Sequence, residues 1–514
     1  MEQKKWPLKS VLLIFGTCVL LNLTSAETLI FTSGTISCLS QSQSIPSQQY
    51  SQESSSSQSE SLVGVIKGRI LDYETQEPIK GVSVAIKESD LEVLSSEDGS
   101  YAFSDIPVGF YILTFQIDGY YTDTRTDVIV RSNRTTFLNI QILKVRKIEE
   151  QVDVTADYFP KTQTQTGSQL EINAEELRRD AASAGDVSRA LYNVPGVIKA
   201  DEEANDLIVR GGSPTENGFY IDNIFVPNIN HFPQMGASGG NISMLNMDFI
   251  ERIQIYTGGF DASYGNRLSS ILDIGYREGN RERINSQVNF SIIGYGAQIE
   301  GPLPNNKGSW MISANRSFLD LIRKLISDEE QQSSFNDIQG KMNYDINENN
   351  KLSLLFLGGH SQTLYDPGAE KFDQMTVGMN WRHLWGGVGY SDTSVSYSSQ
   401  KGNENFWDSY EEQLVFNFEY KNEYLTLRNV NQFQISPSHQ LKFGFEAQNI
   451  IFQSLDYYDE STQKFKGIFG GAFLTYVVYP FQNFSLSTGI RLDYFPFSER
   501  THVSPRVNFS WELT

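Results

Sequence analysis

The histidines and cysteines that could hold a transition-metal ion are few and scattered. Histidine occurs only at 231, 360, 383, 439 and 502, and cysteine only at 18 and 38. No His-Glu-x-x-His run exists, so peptidase-type zinc chemistry has no ligand set. No paired cysteines have metal-ligand spacing. The glycine pairs Gly211-Gly212 and Gly258-Gly259 belong to no phosphate loop and read as turn glycines. Asn133-Arg134-Thr135 fits a glycosylation acceptor pattern and carries no further signal. The remaining reactive candidates are charges beside turns: Arg210, Glu251 and Arg252. These residue types predict no enzyme, no metal site and no cofactor, but they suit ion pairing.

The elements that would position those charges are read from pattern. The chain has 514 residues, enough for three or more domains on length alone. Its formal net charge is −21, which argues against a nucleic-acid partner. Charged residues make up only 20% and aromatics 12%, a balance suited to a β-rich protein. Residues 1–26 read as a signal peptide: Lys4, Lys5 and Lys9, then the apolar Val11–Leu23, then Thr24-Ser25-Ala26. Cys38 lies well past the apolar leader, which argues against lipidation. Residues 27–61 form a Ser/Gln-rich linker that cannot bury apolar surface. No long apolar run follows, so a membrane-spanning reading requires a closed β-barrel.

Residues 62–145 carry short alternating runs separated by turns such as Glu77-Pro78, Asp98-Gly99 and Asp118-Gly119, which predicts a small β-sandwich. The phrases Gly68-Arg69-Ile70, Pro78-Ile79-Lys80-Gly81-Val82, Asp98-Gly99-Ser100-Tyr101-Ala102-Phe103 and Pro107-Val108-Gly109-Phe110-Tyr111 resemble the carboxypeptidase regulatory-like domain. That resemblance is to the regulatory sandwich and not to a zinc peptidase, since no histidine lies in this stretch.

Residues 157–283 begin with a helical pattern, Glu175–Tyr192, with Asn173 as N-cap and Pro195-Gly196 as the stop. Leu207-Ile208-Val209-Arg210-Gly211-Gly212-Ser213 and Tyr220-Ile221-Asp222-Asn223 follow. Residues 249–274, FIERIQIYTGGFDASYGNRLSSILDI, close the region with two strands flanking Gly258, Gly259, Tyr264 and Gly265. In this order the motifs resemble the α+β plug domain of TonB-dependent outer-membrane receptors. Asn223 stands where that family more often has Gly, and Asn tolerates the same left-handed turn. Residues 146–156 include Ile148-Glu149-Glu150-Gln151-Val152-Asp153-Val154-Thr155-Ala156, which is similar to the family's TonB box. There an extended segment lends its backbone to a partner's sheet. The resemblance assigns Glu150, Val152, Val154 and Thr155 to that contact.

Residues 284–514 alternate with period two. Leu414, Phe416, Phe418 and Tyr420 are one apolar row; Leu441, Phe443, Phe445 and Ala447 are another; Phe484, Leu486, Ile490 and Leu492 are a third. One greasy and one wet face over segments of about ten residues is the pattern of an outer-membrane barrel. The expected fold class is mainly β: a sandwich, an α+β plug and part of an antiparallel transmembrane β-barrel. Eleven or twelve strand candidates follow residue 284, whereas plugged transporters have about 22 strands. The barrel therefore reads as truncated.

The resemblance implies a receptor in the cell outer membrane, with its N-terminal domains periplasmic. It would import a small ligand: a siderophore, vitamin, metal chelate, peptide or oligosaccharide. TonB would be its partner, outer-membrane lipid its solvent, and a surface lipoprotein a further candidate partner. Arg210, Gly211, Gly212, Asp222, Glu251, Arg252, Gly258, Gly259, Tyr264 and Gly265 would form the plug motifs and a latch to the wall. The alternative is a surface-binding or adhesion protein that uses a barrel anchor without transport.

Overall fold

Period-two alternation dominates the chain, and strands dominate its structure. The computed structural model describes residues 63–511, apart from 88, 90, 131–134, 146–168, 180–185, 200–204, 234–238, 292–293, 320–331, 366–367, 408–413, 457–460 and 482–483. The expected signal peptide, the linker and the coupling segment with Glu150, Val152, Val154 and Thr155 lie outside the described residues.

The first domain has strands β1 (Val63–Asp72), β2 (Ser83–Ile86), β3 (Glu92–Leu94), β4 (Ser100–Pro107), β5 (Gly109–Gln116), β6 (Asp123–Val130), β7 (Thr135–Phe137) and β8 (Ile140–Ile142). One sheet has β1 between β4 and the β7/β8 edge; the other has the order β3-β2-β5-β6. Alternate residues of the two sheets meet in a core of Ile66, Ile70, Val84, Leu113, Phe115 and Ile140. Tyr101 meets Phe115 edge-on at 5.6 Å, a favoured aromatic geometry.

The middle domain contains β9 (Gln169–Asn173), α1 (Ala174–Arg179), α2 (Val187–Ala190), β10 (Val197–Lys199), β11 (Leu207–Val209), β12 (Asn217–Ile221), β13 (Ile224–Val226), β14 (Asn230–His231), β15 (Ile242–Ser243), β16 (Ile250–Tyr256) and β17 (Ser270–Tyr276). Its main sheet has the order β13-β12-β17-β16-β9. The expected single helix over 175–192 is broken at Asp186, whose backbone is extended (φ −98°, ψ 123°), so α2 starts at Val187. Asn173 ends a strand, and Asp186 caps α2 by accepting from the Arg189 amide at 3.1 Å. The same carboxylate accepts from Asn205 and the Ser243 amide, so it is held out of a continuous helix.

The last region is one sheet of twelve strands in chain order. They are β18 (Asn285–Phe290), β19 (Gly294–Pro302), β20 (Gly308–Ser317), β21 (Gln332–Asn347), β22 (Asn350–Tyr365), β23 (Gly368–Leu384), β24 (Gly389–Trp407), β25 (Leu414–Ser436), β26 (His439–Asp456), β27 (Ser461–Phe481), β28 (Phe484–Phe495) and β29 (Arg500–Trp511). Each is antiparallel to the next. Strands β21 to β27 have at least 16 residues, more than the 9–11 or so that a bilayer crossing needs. Met311, Leu355 and Leu357 of this sheet join the middle domain's core, so the sheet wraps that domain.

The inner and outer faces separate by residue parity. On β26 and β28, Phe443, Phe445, Ile490 and Leu492 are exposed outside, while Glu446, Arg491 and Asp493 are buried inside. On β25 the outer row is Leu425 and Leu427. The apolar row Phe416, Phe418 and Tyr420 shares parity with the buried Thr426 and Arg428 and faces inward. A greasy row therefore lies on the outer face of β26 and β28 but on the inner face at this end of β25.

Candidate functional site at the interface between middle domain and wall

The turn after β16 begins with Gly258 and Gly259, both at positive φ (+101° and +58°), where side chains are strained. It delivers residues 260–265 against the wall. Four wall cations meet this loop. Arg506 donates to the Phe260 carbonyl at 2.9 Å, and Arg491 donates to the carbonyls of Ala262 and Ser263 at 3.1 and 3.3 Å. Arg428 donates to the Ser263 carbonyl at 2.8 Å. Lys442 lies 3.3 Å from the Asp261 carboxylate. Burial works against charge on Asp261, but Lys442 and the Ser263 bonds hold its carboxyl below the ordinary range.

Aromatic rings complete the clamp. The Arg428 guanidinium lies 4.7 Å from the Tyr220 ring and 5.0 Å from the Tyr264 ring, and Arg506 lies 4.9 Å from Phe260. Tyr264 donates to Asp273 at 2.8 Å. Gly265 is obligatory for a close approach: a Cβ there would stand 2.1 Å from Arg491 Nε. Wall carboxylates neutralise the arginines, with Glu446 at 2.7 Å from Arg428 and Asp493 at 2.8 Å from Arg491. All four of these side chains are at most 6% exposed, so removing one partner would strand a buried charge.

Asp222 and Asn223 form a second contact. Both are left-handed (φ +49° and +67°) and join β12 to β13 as a two-residue hairpin turn. Asp222 pairs with Lys341 at 2.8 Å and accepts from the Tyr276 amide at 3.2 Å. Asn223 Oδ1 accepts from Arg428 at 2.8 Å, and its carbonyl accepts from the Ser394 hydroxyl at 2.8 Å. A third contact is His231, fully buried, with Nε2 at 3.3 Å from Asp337.

The other residues expected at the latch stand elsewhere. Gly211 (φ +80°) turns the chain after β11, and Gly212 sits so close to Ser269 that a Cβ would be 2.5 Å from its hydroxyl. Arg210 is exposed beside the turns at Gly196 and Gly258, and among the described residues it makes no ion pair. Glu251 occupies a β-bulge between β16 and β17. Strict alternation would send Glu251 and Arg252 to opposite faces; the bulge lets both line one polar cavity. Burial raises the Glu251 carboxyl above its ordinary value, against the pull of Lys341 and Arg252 and a hydrogen bond from Asn139.

Arg428, Lys442, Arg491, Arg506 and Lys341 were not singled out from sequence. A signal existed: Arg428 and Arg491 interrupt inner rows of small or polar residues, Thr426 before the first and Gly489 before the second. Among the described residues, no three His, Cys, Asp or Glu side chains converge as a metal site.

Residues 65–143 match the carboxypeptidase regulatory-like domain, and residues 161–270 match the TonB-dependent receptor plug domain. The TonB-dependent transporter Oar of Myxococcus xanthus is 22% identical over 228 residues, which is 42% of this chain and 20% of that protein. The ferric enterobactin receptor PfeA of Pseudomonas aeruginosa superposes with a TM-score of 0.53 at 16% identity, over 68% of this chain and 60% of PfeA. The outer membrane transporter YddB of Escherichia coli gives 0.51 at 13% identity, over 67% of this chain and 59% of YddB. The chain thus spans about one fifth of its curated relative and about three fifths of the solved receptors. In domain order the chain thus carries a stretch matching the carboxypeptidase regulatory-like domain and then one matching the TonB-dependent receptor plug, and it shares its fold with solved plug-and-barrel receptors.

Proposed function

We propose that this chain acts as an energy-gated outer-membrane receptor that imports a small ligand by moving its plug. The observation that carries the reading is the loop 260–265, held by four wall cations across more than one strand. A contact of buried charges and carbonyls favours two discrete positions over a continuum, because a half-broken arrangement leaves charges without partners. The ligand class stays broad: siderophore, vitamin, metal chelate, peptide or oligosaccharide. PfeA is a ferric enterobactin receptor, and that likeness supports testing iron chelates among the first ligands.

In this reading TonB pairs with residues 148–156 through Glu150, Val152, Val154 and Thr155 and pulls. The load reaches β9, which among the described residues is an edge strand paired with β16 alone. Gln169, its first residue, pairs with Tyr256, directly before the turn that carries the clamped loop. Peeling β9 would therefore remove support beside the clamp. Arg210, Glu251 and Arg252 stay within the proposal as plug charges near the moving parts, with Asp222 and residues 260–265 as the wall contacts. The test is a pull-down of the intact chain with the periplasmic domain of TonB. Val152→Pro/Val154→Pro removes two backbone donors and should abolish capture and uptake of ferric chelates while leaving surface binding intact. Unchanged capture would remove the coupling role of this segment.

A further inference from the structure

The sandwich touches both the wall and the plug. Glu77 accepts from the Gly387 amide at 2.5 Å, in the short turn between β23 and β24. Arg382 donates to Gln76 at 3.2 Å. Lys67 pairs with Glu282 at 2.6 Å, and Arg283 donates to the Thr135 hydroxyl at 3.3 Å. Short turns mark the periplasmic end of an outer-membrane barrel. The sandwich is thus seated on that end.

Behind these contacts lies a cavity of about 1330 Å³ whose lining comes from sandwich, plug and wall. Arg125 of the sandwich, Glu251, Arg252 and Asp273 of the plug, and Lys351 and Asp392 of the wall all face it. Asn139 of the sandwich lines this cavity together with Glu251, which stands at the bulge beside the edge strand β9.

The energetics of this seat differ from those of the clamp. The sandwich core and the plug core are separate clusters, and neither includes a residue of the other. The seat is polar, and the Lys67–Glu282 pair is 27% and 56% exposed. Exposed pairs contribute little and are screened by salt. Polar interfaces between domains of one chain are those expected to open.

We infer that residues 63–145 form a releasable cap: seated, they close the cavity beneath the plug that Glu251 and Arg252 line; released, they expose the face from which the plug would move. The inference rests on the barrel reading only for which end is periplasmic. Its test reads contact rather than uptake, so it can fail while transport stands.

The experiment is hydrogen exchange on the intact chain in lipid, comparing wild type with Lys67→Ala/Glu77→Ala, at about 0.1 M and about 1 M salt, where the Debye length falls from about 10 to about 3 Å. The expected result is at least about tenfold faster exchange in segments 250–252 and 277–283 for the double variant, and for wild type at high salt, with β2 and β5 still protected. If the variant also loses protection in β2 and β5, the high-salt arm on wild type decides. Unchanged exchange of 250–252 and 277–283 in wild type at high salt overturns a releasable cap. In parallel, Thr135→Cys/Arg283→Cys in a Cys38→Ser background, which keeps Lys67 and Glu77, should cross-link with a short bismaleimide, and less at high salt. No cross-link at low salt overturns the seated position.

Discussion

Arg428→Met is the sharpest perturbation of the clamp. Met keeps much of the side chain's bulk and removes every donor. Arg428 bridges wall to plug through the Ser263 carbonyl and Asn223 Oδ1, each at 2.8 Å. A hydrogen bond to a charged group contributes about 1.5–3 kcal/mol, so two at the lower bound give about 3 kcal/mol of loop opening energy. The contacts to the Tyr220 and Tyr264 rings are left out of that sum because such terms are not additive. At about 1.4 kcal/mol per tenfold, exchange of amides in 258–266 should quicken about 100-fold. The assay is hydrogen exchange by mass spectrometry on the chain in lipid. Glu446→Gln supplies the control: Arg428 remains, so loop exchange should change far less, although the wall loses its buried carboxylate. The double variant should recover wall stability relative to Arg428→Met, since no charge is left stranded, without restoring loop protection. If Arg428→Met leaves exchange in 258–266 within about threefold of wild type, a difference below about 0.7 kcal/mol, the clamp is not what holds the loop.

Gly265→Ala places a methyl 2.1 Å from Arg491 Nε; it should cost about 1–3 kcal/mol of plug seating, seen as faster exchange in the same loop. Glu278 is held at about 2, because Arg281 and Lys351 outweigh the burial that would raise it. Its folded pKa is depressed, so its contribution is present above the ordinary value of 4.5 and is lost as pH falls towards 2. Glu278→Gln should therefore flatten the acid dependence of unfolding in that window, and an unchanged profile by fluorescence titration would refute it. Leu427→Arg puts a charge on the outer face of β25 and should cost about 2–4 kcal/mol at the bilayer midplane and impair assembly. Phe418→Arg, on the inner face, should assemble; equal defects in a heat-modifiability gel would reverse the face assignment. Val152→Pro/Val154→Pro should separate surface binding from energised uptake, measured with a radiolabelled ferric chelate.

What sequence alone made legible was local. The sandwich strands and the wall strands follow from alternation and turn chemistry, because side-chain direction repeats every two residues in any strand, whereas the plug was named by the resemblance of its motifs. The Asp222-Asn223 turn was legible for the same reason: Asn accepts left-handed backbone wherever it stands. The helix over 175–192 was misread where a side chain found partners from afar: Asp186 caps α2 while also binding Asn205 and Ser243. The greasy row 416–420 could not be given a face from pattern, because lipid and a lumen lined by aromatics select the same residue types. Only the tertiary structure joined Arg428 to Ser263, which are 165 residues apart, and turned Glu251 and Arg252 into one cavity through a bulge. Nothing in the neighbours of Arg428 specifies which carbonyl it will meet. That choice depends on strand register and on how the sheet curves around the plug, and both are properties of the assembled chain.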